Sequence, residues 1–187
     1  MRAFIAINLP SEIKAGLAKV QDKLKIISPG IIQAKPANLH LTLKFLGNIS
    51  LQQTESIQQA ITGLIKTIRP FKIKLDTLGV FPDDRQARII WIGTRQPTAQ
   101  IQQLVSQLEE NLLSFSLPQE TRHFQAHITL GRIKQPINFL SLKENLDIIK
   151  SEIPDLNLEF NIRGITLYQS ILGPGGPHYN ILKEVNF

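Results

Sequence analysis

The sequence predicts an α+β fold in which one α/β unit occurs twice, giving two lobes related by a pseudo-twofold axis. Helical and strand-like segments alternate along the chain, and the order of elements in the first half recurs in the second. The repeats cover roughly 2–82 and 87–172 of a single interleaved domain, 1–187. We expect two mostly antiparallel sheets that form a central cleft, with the helices packed outside.

Four segments carry the three- and four-residue spacing of apolar side chains that is typical of amphipathic helices. Pro10 and Ser11 mark the start of the first, and the pattern Ser50-x-x-Gln53 predicts a capping box for the second. Thr98 precedes the third. The apolar stripes are, in order, Ile13, Leu17, Val20 and Leu24; Ile57, Ile61, Leu64, Ile65 and Ile68; Ile101, Leu104, Val105, Leu108 and Leu112; and Leu142, Leu146 and Ile149.

Runs rich in β-branched and aromatic residues predict strands between these helices, each bounded by Gly, Pro or Asp. Turns are predicted at 82–84 and 173–177. In each half, a histidine opens the strand after the first helix, and a long strand region follows at the same distance along the chain. The predicted strands are 2–9, 39–46, 71–81, 87–93, 127–133, 157–171 and 180–185.

Composition excludes several classes of protein. Hydrophobic residues make up 42% and charged residues 19%, which suits a packed core and argues against a disordered chain. No apolar run approaches the roughly 18 residues of a membrane span, and the first ten residues suggest a strand instead of a signal peptide, so we expect a cytoplasmic protein. The absence of cysteine excludes thiolate nucleophiles and cysteine-based zinc sites. A net charge of +6 suits an anionic partner such as nucleic acid.

Two near-identical tetrapeptides, His40-Leu-Thr-Leu and His127-Ile-Thr-Leu, open strands at matching places in the two halves. Alternate residues of a strand project from the same face, so His40 shares a face with Thr42, and His127 shares one with Thr129. In pseudo-symmetric lobes, two imidazoles and two hydroxyls therefore converge on one cleft. Such a cleft suits a phosphate diester.

Opening a cyclic diester requires one group that takes a proton from water and another that gives a proton to the departing oxygen. Histidine does either near neutral pH, because its ordinary pKa is about 6.5. Two histidines on opposite sides permit in-line displacement, and threonine hydroxyls can donate to the non-bridging oxygens. We expect no metal and no other cofactor. Sequence alone leaves open which histidine gives the proton.

The paired motifs resemble those of the two-histidine (2H) phosphoesterase superfamily, and within it the RNA 2′,3′-cyclic phosphodiesterases, long named 2′-5′ RNA ligases. Departures are Ala126 and His123, which stand where the family often has proline. The resemblance covers essentially the whole chain, through Arg2-Ala-Phe-Ile-Ala-Ile, Asn38-Leu-His-Leu-Thr-Leu-Lys-Phe-Leu-Gly47, Gly79-Val-Phe-Pro82 with Trp91, Phe124-x-x-His127-Ile-Thr-Leu-Gly-Arg132 and Gln169-Ser-x-Leu-x-Pro-x-Gly-x-x-Tyr179.

This resemblance implies hydrolysis of an RNA-terminal 2′,3′-cyclic phosphate to a 2′-phosphate. By the same resemblance, His40 is the proton donor to the leaving O3′ and His127 the proton acceptor from water. Thr42 and Thr129 would hold the phosphoryl group, and Arg132 matches a position that adds positive charge there. Strict alternation puts Arg132 on the face opposite His127; Gly131 would allow a bulge or bend that re-aims it, and a surface arginine is the alternative.

Other candidate substrate contacts rest on weaker signals. Lys44 shares strand parity with His40 and would meet RNA phosphates, although a solvated sheet face is equally compatible with it. Phe45, Phe124 and Tyr179 are candidates for stacking on a base, with packing in the core as the alternative. His178 is expected to be exposed and His123 to lie at the rim of the cleft.

Three other functions stay open on the sequence. They are reversible 2′-5′ ligation of RNA ends, non-catalytic RNA binding in the basic cleft, and hydrolysis of small cyclic nucleotides. The natural substrate, whether tRNA, oligonucleotide or mononucleotide, is undecided. Two lobes that close one cleft need no partner chain, so we expect a monomer with no obligate protein partner and no membrane contact.

Overall fold

The computed structural model describes residues 1–27, 30–83, 86–95, 99–118, 123–134 and 138–187. Thr98 and part of the predicted 82–84 turn lie outside these ranges. The elements are β1 (Arg2–Asn8), α1 (Ser11–Ile27), β2 (Ile31–Gln33), β3 (His40–Asn48), α2 (Leu51–Ile65), β4 (Phe71–Lys74), β5 (Thr77–Phe81), β6 (Ile89–Gly93), α3 (Ala99–Asn111), β7 (His127–Ile133), α4 (Phe139–Glu152), β8 (Glu159–Ile162), β9 (Gly164–Gly173) and β10 (Gly176–Asn186).

The predicted α+β architecture is confirmed, with strands that pair antiparallel. One four-stranded sheet has the order β10-β9-β1-β3, another has the order β2-β7-β6-β5, and β4 pairs with β8. Strands β3 and β7 lie close together, which brings the two histidine strands to the junction of the larger sheets. Each larger sheet includes two strands from the opposite half of the chain, β9 and β10 in the first and β2 and β5 in the second. The repeat limits 2–82 and 87–172 stay a prediction.

The apolar stripes of the helices pack against the sheets, as their spacing predicts. The stripes of α1 and α4 are buried throughout, and those of α2 and α3 are buried apart from Ile68 and Val105, which are half-buried. Ile68 and Leu112 lie just beyond the ends of their helices. None of the described helices is both long enough and apolar enough to cross a bilayer.

The predicted capping box at the start of α2 is present. Ser50 Oγ accepts a hydrogen bond from the Gln53 amide at 3.1 Å, and Gln53 Oε1 accepts one from the Ser50 amide at 2.9 Å. Two backbone donors that the first helical turn leaves without partners are thereby satisfied.

Removing this cap gives a first testable prediction. Ser50→Ala should lower the free energy of unfolding by about 1 kcal/mol, because the Gln53 amide loses its acceptor. Urea denaturation measures the change, and Ser56→Ala, an exchange within the same helix, is the control. An unchanged midpoint for Ser50→Ala would contradict the prediction.

Two strand predictions were wrong in the same way. Segment 71–81 forms two strands, since the Leu75 amide bonds to Leu158 O while the Asp76 amide bonds to Gly93 O, so the chain passes from the β4–β8 pair to β6. Segment 157–171 also forms two strands in different sheets. Gly164 stands at its crossing point, where a β-carbon would collide with Val185 O.

Strand β2 is absent from the sequence predictions. It has three residues and pairs with the edge of β7, Ile31 lying opposite Ile133. A strand of this length is too short to show an alternating pattern.

Candidate active site

A β-bulge interrupts the first histidine strand. In β3, Thr42 lies opposite Ala6, but Lys44 lies opposite Ile5, so Leu43 has no partner in the register. A bulge of this kind places two residues against one and disturbs the inside–outside alternation of the residues that follow it.

The second histidine strand has the same irregularity at the same position. In β7, Thr129 lies opposite Trp91, but Gly131 lies opposite Ile90, so Leu130 has no partner in the register. Each unpaired leucine is the third residue after its histidine. The two strands therefore match in backbone irregularity as well as in sequence.

These bulges determine on which face of its strand the fifth residue after each histidine lies. Phe45 and Arg132 occupy these positions, and both are exposed, Phe45 with 57% of its surface accessible. The Phe45 ring lies 6.2 Å from that of Phe4, which itself packs against His40. Arg132 acts electrostatically on Tyr179, whose ring also contacts His40. Both residues therefore lie near the aromatic rings around His40, and a bulge is present where Gly131 was expected to allow one. The contact of Arg132 with a phosphoryl group stays a prediction.

Lys44 corrects a prediction. Its side chain is only 5% exposed, and its Nζ donates to Glu109 Oε2 at 2.5 Å and to Pro118 O at 3.3 Å. The bulge at Leu43 is the physical reason, because it turns Lys44 away from the face that carries His40. The prediction that Lys44 contacts RNA phosphates is therefore wrong.

A substitution distinguishes an inward-facing Lys44 from one that faces the cleft. Lys44→Met should leave kcat and KM unchanged and lower the free energy of unfolding by about 1 kcal/mol, because Met keeps the buried volume and the Glu109 carboxylate, whose side chain is 32% exposed, stays solvated without its partner. Glu109→Gln should destabilise more, since it leaves the buried ammonium without its carboxylate. Turnover measurements and urea denaturation test both, and a large rise in KM for Lys44→Met would refute the inward placement.

Both imidazoles are held by one kind of contact. His40 Nδ1 lies 2.8 Å from Asn38 O, and His127 Nδ1 lies 2.7 Å from Gln125 O. A carbonyl oxygen can only accept, so Nδ1 donates in each case. Nε2 is then the nitrogen that accepts a proton when the ring is neutral and donates one when it is charged.

Aromatic rings enclose His40. The Phe4 ring lies 4.8 Å from the imidazole, and Tyr179 meets it edge-on at 5.1 Å. Tyr168 stacks on Phe4 at 5.2 Å, and its ring lies 6.1 Å from the imidazole. Between Phe4 and Asn8 on the same face of β1 stands Ala6, whose small side chain leaves room for the rings to meet.

This enclosure changes the acidity of His40. Burial lowers the pKa of His40 to about 4, although the hydrogen bond to Asn38 O acts in the opposite direction. Electrostatic interactions with His127 and with Lys14 lower the pKa further. At neutral pH the ring is therefore uncharged in the protein alone. The same interaction shows that the two histidines lie within electrostatic reach of each other.

His127 has its own aromatic neighbours. Phe81 meets the imidazole edge-on at 5.0 Å, and Trp91, which stacks on Phe81 at 5.2 Å, lies 6.1 Å away. Thr42 and Thr129 are half-buried on their strands, each two residues beyond its histidine. Each histidine thus opens a strand that presents a hydroxyl next and an exposed side chain after the bulge.

The remaining predicted residues divide between the cleft and the core. Tyr179 contacts His40, as above, whereas Phe124 is half-buried and packs against the main core. His178 is exposed, as predicted; His123 is exposed too, and its place at the rim of the cleft stays a prediction. Within the described ranges, no three or more His, Asp or Glu side chains gather as a metal site would require.

Sequence reasoning did not single out Phe4, Phe81, Tyr168 or Asn8 as site residues. Asn8 lies opposite His40, where Tyr168 Oη donates to Asn8 Oδ1 and Asn8 Nδ2 donates to Thr166 Oγ1 at 3.3 Å. Strand parity offered one signal, since Phe4 and Asn8 alternate along β1 with the buried core residues. The contribution of β9 depends on strand order, which sequence alone does not provide.

Curated proteins of known activity resemble this chain over nearly its whole length. The curated RNA 2′,3′-cyclic phosphodiesterase of Methanocaldococcus jannaschii is 35% identical over 98% of this chain and 99% of its own length. The protein of the same name from Escherichia coli is 30% identical over 98% of this chain and 94% of its own.

Solved structures with the same fold superpose on nearly the whole chain. A protein from Thermus thermophilus superposes with a TM-score of 0.84 at 26% identity, covering 100% of this chain and 97% of its own. Escherichia coli LigT complexed with 3′-AMP gives 0.77 at 28% identity, covering 99% and 97%. The model of the LigT like phosphoesterase family matches residues 7–91 and again 92–179. The chain belongs to the LigT-like phosphoesterase family, within the 2H phosphoesterase superfamily.

Proposed function

We propose that this chain is an enzyme that hydrolyses an RNA-terminal 2′,3′-cyclic phosphate to a 2′-phosphate. One observation carries the proposal: two histidines, on strands with the same bulge and the same Nδ1 contact, lie within electrostatic reach of each other. Curated relatives over nearly the whole chain bear the name RNA 2′,3′-cyclic phosphodiesterase, which supports it.

The two imidazoles divide the proton transfers. His127 Nε2 takes a proton from a water molecule as the water oxygen bonds to phosphorus. The bond from phosphorus to O3′ breaks, and His40 Nε2 gives its proton to O3′. The product keeps its phosphate on O2′, and the proton lost by His40 equals the one gained by His127.

His40 needs a proton before it can serve as the acid. Its pKa of about 4 leaves it neutral at pH 7 in the protein alone. A bound phosphate diester carries a negative charge, and an opposite charge nearby favours the imidazolium form. Substrate binding therefore raises the pKa of His40. His40 then takes up a proton from solvent and can serve as the proton donor.

The side chains beside the histidines complete the phosphoryl site. Thr42 and Thr129 donate hydroxyl hydrogens to the non-bridging oxygens, and Arg132 adds positive charge as the transition state forms. These groups and the two imidazoles perform every step without a metal. They all come from one chain, so a monomer suffices.

The terminal nucleoside lies on the side of His40. O3′ leaves toward His40 and belongs to the same ribose as the terminal base, so that base lies near Phe45 and Tyr179. The exposed face of Phe45 offers a stacking surface. The crystal structure of Escherichia coli LigT with 3′-AMP supports nucleotide binding in this family.

A substrate panel tests the proposal. RNA with a cyclic phosphate end, cyclic mononucleotides and tRNA halves are incubated with EDTA present, and phosphorus NMR identifies the position of the product phosphate. We expect 2′-phosphate on RNA ends at a rate that EDTA leaves unchanged. Joined 2′-5′ product in the presence of 5′-hydroxyl RNA would show that the site also runs in reverse.

Two outcomes would contradict the proposal. Salt-dependent RNA binding with no cyclic phosphate consumed would make the chain a binding protein. Loss of turnover in EDTA with recovery on added divalent metal would defeat the metal-independent mechanism.

A further inference from the structure

We infer that Asn38 and Gln125 are positioning residues, whose side-chain amides hold in place the backbone carbonyls that orient the two histidines. The inference rests on the proposed function, in which Nε2 of each ring meets the phosphate. It concerns the residue two positions before each histidine. At both positions the backbone carbonyl accepts from Nδ1 of the histidine, and the side chain is a carboxamide.

Asn38 links His40 to a hairpin that is distant in sequence. Its Nδ2 donates to Pro177 O at 2.8 Å, while its own carbonyl accepts from His40 Nδ1. Pro177 belongs to β10 and stands two residues before Tyr179, the ring that meets His40 edge-on. One half-buried side chain therefore fixes both the carbonyl behind the imidazole and the hairpin that packs against it.

Gln125 does the same for His127 with a different target. Its Nε2 donates to Thr94 O at 3.3 Å, and Thr94 directly follows β6. The backbones approach closely here, because a β-carbon on Gly93 would collide with Ala126 O. The segment before His127 is thus held against the end of β6 on both sides of Ala126.

These anchors matter because both carbonyls lie just outside the regular strands. Asn38 ends the short 3₁₀ turn Pro36–Asn38, and Gln125 lies in an extended segment before β7 begins. In the described part of the chain, no ladder hydrogen bond reaches these carbonyls directly. The Leu39 amide, in the same peptide group as the Asn38 carbonyl, donates to Pro36 O at 3.3 Å, and the Thr94 amide donates to Ala126 O at 3.4 Å. The side-chain amides add a second hold to these backbone contacts. If the carbonyl moves, Nδ1 loses its acceptor. The Nδ1–H tautomer is then no longer favoured, and the imidazole can rotate away from the phosphate. Small errors of aim at a reacting centre have large effects on rate.

The test combines the tautomer with kinetics. Asn38→Ala and Gln125→Met remove one anchor each. Gln58→Met is the matched control, since half-buried Gln58 Nε2 donates to Leu182 O of the same strand β10, away from both histidines. Nitrogen-15 NMR of the histidine rings reports the tautomer without substrate, and thermal unfolding reports stability.

We expect each anchor variant to lower kcat by about ten- to a hundred-fold while KM changes little. The Nδ1–H tautomer should be depleted at His40 in Asn38→Ala and at His127 in Gln125→Met, with the other ring unchanged. Gln58→Met should keep wild-type kcat and both tautomers. If either anchor variant fails to fold, Asn38→Asp or Gln125→Glu removes the donor at nearly constant shape.

Folded anchor variants with wild-type kcat and intact Nδ1–H tautomers would overturn the inference. So would an equal loss of kcat in Gln58→Met, since that would show a general response of the fold. Failure of the proposed function looks different: wild-type protein would then leave every cyclic phosphate unchanged, and the ring spectra would still decide whether the anchors hold the tautomers.

Discussion

His40→Ala and His127→Ala each lower kcat on RNA with a 2′,3′-cyclic phosphate end by about 10²–10⁴-fold. The range is that of a general acid or base whose proton transfer is lost from the transition state. Because both protons move in one displacement, the double variant should be little slower than either single variant. Initial rates at saturating substrate, with EDTA present, measure the effect.

The chain provides matched controls for this experiment. His123 and His178 are exposed histidines, and neither ring packs in the aromatic groups around His40 and His127. Replacing either with alanine should leave kcat unchanged. A catalytic variant that is folded yet retains most of its activity would refute the two-histidine mechanism, as would an equal loss in both control variants.

Acidification should destabilise the folded protein through His40. An unfolded histidine takes up a proton as the pH falls below about 6.5, whereas folded His40 does not do so until about pH 4. Between these values the unfolded state binds more protons, so the free energy of unfolding decreases as the pH falls. The contribution reaches about 3 kcal/mol at pH 4 and is absent above pH 7.

Comparison with His40→Asn isolates this contribution. Urea denaturation of both proteins at several pH values from 7 to 4 gives the free energy of unfolding of each. The wild type should lose about 3 kcal/mol more than the variant across that window. Parallel curves for the two proteins would contradict the lowered pKa, and with it the enclosure by Phe4 and Tyr179 that causes it.

The sequence reveals what is local and periodic in this molecule. The apolar stripes of the helices, such as Ile13 and Leu17 in α1, recur once per helical turn, so their spacing predicts them. The capping box of α2 is predicted from Ser50 and Gln53 alone. The paired motifs place each histidine and its threonine on one strand face because two-residue alternation holds over that short distance.

Beyond Thr42 and Thr129, the inside–outside alternation of side chains breaks down, and for this reason the prediction for Lys44 was wrong. Both strands bulge after the motif, but only β7 carries a glycine there to suggest it, and β3 has Lys44 at the equivalent place. The aromatic surroundings of His40 were also out of reach. Tyr168 and Phe4 meet through the pairing of β9 with β1, and no local pattern encodes that strand order.

The most direct test of the central claim, that both imidazoles engage one phosphorus, is an NMR titration of the histidine rings with adenosine 2′-monophosphate at pH 7. We predict that His40 and His127 shift along one saturation curve with a single Kd, while His123 and His178 stay still, and that His40 moves toward its imidazolium form. A response from only one of the two, or separate curves with different Kd values, would contradict the claim.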